Sequence, residues 1–101
     1  MPIFHNRIYK EISAVSGGIG FTTSEVRGLL RQVIVVPATN TTTYDFSISD
    51  GSTLILYGRE SYSGELNDTP QVPVQSILVV TVSGSTRDEL FKIYLAIQEE
   101  S

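Results

Sequence analysis

Residues 29–36 read LLRQVIVV, and the last four are apolar and β-branched without a break. Such a run has no polar face, so it predicts a strand covered by protein on both sides, in a sandwich interior or at a subunit interface. Pro37 follows and ends it, because proline cannot donate to a central ladder. A polar turn over residues 39–43 leads to residues 44–49, which alternate strictly. Tyr44, Phe46 and Ile48 are placed inward; Asp45, Ser47 and Ser49 are placed outward. Asp50-Gly51 predicts a tight type I′ hairpin turn, the strongest such signal in the chain. It returns residues 53–57, with Leu54 and Leu56 on one face and Ile55 and Tyr57 on the other.

Two further strands follow. Residues 75–82 form another dense β run, turned by Ser83-Gly84-Ser85. Residues 90–98 close the pattern with Phe91, Ile93, Leu95 and Ile97 facing one way, and Leu90, Lys92, Tyr94 and Ala96 the other. Upstream, residues 7–15 alternate less cleanly: Tyr9, Glu11 and Ser13 share a face opposite Ile8, Lys10, Ile12 and Ala14. An inward Lys10 suits an edge strand, where a charge discourages pairing with another chain. Residues 1–6 read as a short N-terminal arm. Ser16-Gly17-Gly18-Ile19-Gly20 reads as a flexible loop, since it lacks the spacing and the Lys-Ser/Thr continuation of a phosphate-binding loop. Thr22 and Glu25 stand at capping-box spacing, but Gly28 comes soon after, so a single helical turn or a short strand is expected. Residues 58–75 are polar, hold Pro70 and Pro73, and read as a long loop of the kind that is usually functional or mobile.

These segments predict an all-β fold: one antiparallel β-sandwich domain over residues 1–101, jelly-roll or immunoglobulin-like, with six to eight strands. A chain of 101 residues with 41% apolar content can bury a core of its own. It has no cysteine, which removes disulfides and thiolate metal sites. Its one histidine, His5, leaves metal ligation to carboxylates and rules out most transition-metal sites. The formal charge of −4 and the scattered basic residues argue against nucleic acid as a partner. No apolar run approaches the roughly 20 residues of a membrane helix, and no signal-peptide pattern opens the sequence, so no membrane partner is expected.

Candidate chemistry is thin. A serine nucleophile needs a base, and the one histidine falls in the arm, so no catalytic residues are assigned and no enzyme is expected. The acidic pairs Asp45/Asp50, Glu60/Glu65 and Asp88/Glu89 read as solvated surface. A calcium ion near Asp45–Asp50 or Asp68 has carboxylates available but no EF-hand spacing. No cofactor or metal is therefore expected. Asn40-Thr41-Thr42 and Asn67-Asp68-Thr69 fit the glycosylation acceptor pattern, which acts only in a secreted eukaryotic protein. Tyr9, Tyr44, Tyr57, Tyr62 and Tyr94 could form a sugar platform, with Tyr62 in the polar loop favoured for a partner contact.

Gly28-Leu29-Leu30-Arg31-Gln32-Val33, then Pro37, then residues 43–50 (TYDFSISD) and residues 73–83 (PVQSILVVTVS) together resemble small all-β virion proteins of tailed bacteriophages. The resemblance spans roughly residues 26–97, and the Tyr44-Asp45 pair after an upstream proline is its distinctive part. It departs from the pattern at Asp50-Gly51, where a longer acidic loop would stand, and at Ser76, where the pattern has glycine. It implies a non-catalytic structural component of the phage particle, made in the host cytoplasm. A capsid decoration (cement) protein is the first expectation. A tail or neck adaptor or fibre protein is the alternative, and a small carbohydrate-binding β-sandwich module is another. Expected partners are the major capsid protein or other virion proteins, and copies of the chain itself, a trimer among the arrangements. The residues expected to reach them are Ile3, Phe4 and His5 in the arm, and Arg59, Tyr62 and Leu66 in the loop.

Overall fold

The structure is a computed structural model that describes residues 3–14, 18–51, 54–86 and 89–100; for residues 3–6, 14, 99 and 100 it describes backbone only. The expectations for Met1 and Pro2, for Ser16 and Gly17, for Thr53 and for Asp88 lie outside the described residues. Seven strands are present: β1 (Ile3–Ala14), β2 (Ile19–Pro37), β3 (Thr43–Asp50), β4 (Ile55–Ser63), β5 (Leu66–Asp68), β6 (Val72–Ser83) and β7 (Glu89–Glu100). They form one antiparallel sheet in the order β1-β7-β2-β6-β3-β4, with β5 also paired to β2. The fold is all-β and sandwich-like, as the alternation predicts.

β2 sets the architecture. Its 19 residues would span about 60 Å if straight, yet the molecule is 44 × 25 × 19 Å. The strand must bend, and two register shifts bend it: one between Thr22 and Glu25 against β6, one between Leu30 and Gln32 against β7. An extra residue at each shift also reverses which positions face inward. Ile19 and Phe21 pack on the core before the first, Val26 and Leu30 are buried between the two, and Val33 and Val35 after the second. The first half of β2 pairs with β6, and the second half pairs with β7 on one side and β5 on the other. One continuous sheet thereby supplies both layers.

The layers meet through side chains that are not sheet neighbours. Tyr44 of β3 stands edge-on to Phe91 of β7, with ring centroids 5.0 Å apart. Phe46, Ile48, Leu78, Val80, Val82, Ile93, Leu95 and Ile97 complete a fully buried interior. At one end, Ala38 donates to the Leu90 carbonyl and Thr86 to the Thr43 carbonyl, tying the two connections together. The hydroxyl of buried Thr42 donates to one carboxylate oxygen of Glu89.

Several expectations are corrected. Residues 3–6 are no arm: they are the start of β1, Ile3 pairing with Glu100. Their backbone is paired along β7, which leaves β1 as the edge of the sheet. Residues 58–75 are no loop either. They contain the end of β4, all of β5 and the start of β6, separated by short breaks at Gly64 and near Gln71. Polar composition misled here because these strands show one face to solvent, and Pro73, second in β6, lies where a proline is tolerated. Of the two readings for residues 22–25, the strand is the one present, as part of β2. The Asp50-Gly51 hairpin is wider than a two-residue turn: Asp50 still pairs with Leu78, Gly51 alone of the two has positive φ (58°), and the Asp50 amide donates to the Leu54 carbonyl. A register shift between Ile48 and Ser49 then turns Ile55 outward while Tyr57 stays buried.

Candidate functional site

The outer face of β1, β7 and β2 carries the most distinctive surface of the molecule. Pairing aligns Tyr9 with Tyr94, and Tyr94 with Ile34, so three large apolar groups form one row across three strands. The Tyr9 and Tyr94 rings lie 4.6 Å apart at 37°, and they are 46% and 41% exposed. The Tyr9 hydroxyl is pushed up to about 12, first by desolvation and then by its hydrogen bond with Glu11. Ile34 and Val36 are only half-buried, while Val33 and Val35 are sealed in the core. The β-branched run is thus fully covered on one face and partly open on the other.

Beside this row the surface falls into an open cleft of about 550 Å³. Ala96, the neighbour of Arg7 on one side and Gln32 on the other, contributes only a methyl group, which leaves the hollow. Arg7 and Arg31 line it, with Gln32, Thr69 and Gln71 towards β5 and β6. Arg31 donates to the side-chain carbonyl of Gln98, and Gln32 donates to the side-chain carbonyl of Asn67 at 3.2 Å. Gln71 is held at φ 58°, in the break that separates β5 from β6.

The six residues expected to reach partners are not brought together. Ile3, Phe4 and His5 pair with Glu100, Glu99 and Gln98, and their side chains lie outside the described residues. Arg59 and Tyr62 are on β4, at the opposite end of the sheet path. Arg59 is engaged within the chain: it donates to Asp68 at 2.5 Å and lies 5.0 Å from the centre of the Tyr57 ring. Tyr57 donates to the same Asp68 oxygen at 2.9 Å. Those contacts clasp β4 to β5. They hold the Asp68 carboxyl below the usual range, with the Tyr57 hydrogen bond the leading cause. Tyr62 is half-buried with its ring 6.2 Å from Tyr44. Leu66 is 2% exposed and belongs to the core, so its side chain is not a surface contact. It points inward because β5 pairs it with buried Val35.

The acidic candidates resolve into local roles. Asp45 accepts the Ser61 amide at 2.7 Å, and Asp68 is occupied as described. Among the described residues, no three His, Cys, Asp or Glu side chains cluster as a metal site would need. A second exposed apolar group, Leu54, Ile55 and Ile77, sits around the β3–β4 turn. The sequence offers Tyr9 and Tyr94 among five candidate platform tyrosines but favours Tyr62, because Tyr9 and Tyr94 are 85 residues apart, counted from their numbers. Their outward phase was legible, but the β1–β7 pairing that joins them was not. Compared with known proteins, the sequence matches no family model and no curated protein.

Proposed function

We propose that this chain is a non-catalytic structural protein of a bacteriophage virion, a decoration protein that stabilises the capsid through protein–protein contacts. The observation that carries the reading is the row of exposed Tyr9 and Tyr94 with half-buried Ile34 across three strands. Exposed aromatic groups on a rigid face are typical of protein contact surfaces, where they add large area at small entropic cost. The polar groups elsewhere tie the chain's own strands together, as Arg59 and Asp68 do. The virion setting comes from the resemblance over residues 26–97. A tail or neck component would use the same face, and copy number per particle separates the two.

The test is direct. The purified chain is measured by size-exclusion chromatography with light scattering, and by co-sedimentation with purified phage capsids. Self-association together with capsid binding that saturates at many copies per head is expected, and Tyr94→Ala should weaken it. A chain that remains monomeric and never sediments with heads would overturn the proposal.

A further inference from the structure

We infer that the cleft beside Tyr9 and Tyr94 is a binding site for an acidic oligosaccharide, one sugar ring lying against the tyrosine pair and its carboxylate held by Arg7 and Arg31 together. The argument starts from charge. The chain is acidic overall, at −4, yet the two charged residues that line this cleft are both arginines. Among the described residues, the ion pairs are Arg27 with Glu25 and Arg59 with Asp68, neither of them in the cleft. Arg31 is bonded to the neutral amide of Gln98, which orients the guanidinium without cancelling its charge. A planar guanidinium held in this way matches a carboxylate's two oxygens. Glu11 stands on the far side of Tyr9, where it hydrogen-bonds the hydroxyl, and it is not part of the lining.

Shape and composition narrow the class. The volume, about 550 Å³, is that of a small-ligand site rather than a protein footprint. Two neighbouring tyrosine rings offer an apolar surface with polar rims, suited to the C–H face of a pyranose. Gln32, Gln71 and Thr69 supply both donors and acceptors for ring hydroxyls, which a purely anionic site would not require. An acidic peptide fits less well. Peptides commonly bind sheets by adding a strand to an edge, and the edge here is β1, whereas the cleft lies on the face over β7, which is paired with β1 on one side and β2 on the other. An occupant lying over β7 is held by side chains. The inference shares the Tyr9–Tyr94 surface with the proposed capsid contact but does not need the virion setting, and sugar titration and capsid co-sedimentation read the two separately.

The full chain is titrated by calorimetry and by amide NMR with tetragalacturonate and sialyllactose, against maltotetraose and lactose as neutral counterparts. Saturable binding of at least one acidic sugar is expected, centred on β1, β7 and the second half of β2. Tyr94→Ala and Arg31→Gln should each weaken it about tenfold or more. Tyr9→Ala and Arg7→Gln, closer to the sheet edge, provide a second pair should either of the first fail to give the wild-type circular dichroism spectrum. The inference is overturned if neither acidic sugar binds, if neutral sugars bind equally well, or if folded variants bind like the wild type. Tighter binding of an oligoglutamate peptide or a single-stranded oligonucleotide at the same residues would also overturn it.

Discussion

Tyr44 and Asp45 are adjacent in β3 and point in opposite directions; Asp45 fastens β4, and Tyr44 fastens the break that follows it. Tyr44 goes inward: its hydroxyl donates to the Gly64 carbonyl at 2.7 Å while its ring packs on Phe91. Burial raises its pKa well above the usual tyrosine range, so it remains a donor. Asp45 goes outward and accepts the Ser61 amide, where β4 carries an extra residue and Ser61 is held at φ 50°. Tyr44→Phe leaves the buried carbonyl without this donor and should cost about 1–2 kcal/mol, read from urea unfolding followed by circular dichroism. At Ser61 the sign reverses. A side chain in the left-handed region is strained, so Ser61→Gly should raise stability by up to about 1 kcal/mol, whereas Ser61→Val should lower it. At this scale the sequence was only half legible. The alternation placed Tyr44 inside and Asp45 outside correctly, but a bulge on the partner strand leaves no mark in the residues that answer it.

Strands were legible where alternation ran unbroken, as in β3 and β7, and blurred where the phase changed. β2 changes phase twice, so no single period describes it, and only its apolar last third stood out as strand. β4 beyond Tyr57, and all of β5, were hidden by polar sequence because their joint is a polar one: Tyr57, Arg59 and Asp68. That clasp makes a pH prediction. Asp68 is held below its ordinary value, so it contributes stability above about pH 4, the unfolded-state range, and loses it as pH falls through the lower folded value. Tyr57 is raised, by burial first and then by its bond to Asp68, so its contribution is complete below about pH 10 and fades as pH rises beyond that. Urea midpoints should therefore be level between these limits and fall on both sides. Asp68→Asn should flatten the acid limb, and an acid limb identical to the wild type would reject the role given to Asp68.

Across the whole molecule, the two layers are one hydrogen-bonded sheet joined through β2, so neither has a boundary along which it could open alone. Unfolding should be a single transition, with the slowest-exchanging amides of β7 and of β3 sharing one opening free energy in native-state hydrogen exchange. Two separate free energies would mean that the bends in β2 act as a hinge between independent halves. The adjacency of strands distant in sequence also explains why the cleft was hard to foresee, since it is assembled by β1 meeting β7 and by β5 and β6 continuing each other along β2.

The β1–β7 pairing has a mechanical side as well. Ile3 lies opposite Glu100, and the ladder runs inward from there to Ala14 and Glu89. Tension applied at Ile3 and Glu100 would pull the two strands apart sideways, loading one rung at a time as in opening a zipper. Force entering through the broad faces would instead meet many rungs at once. The fold should therefore yield at lower force when drawn out by the paired ends of β1 and β7 than when loaded across its faces.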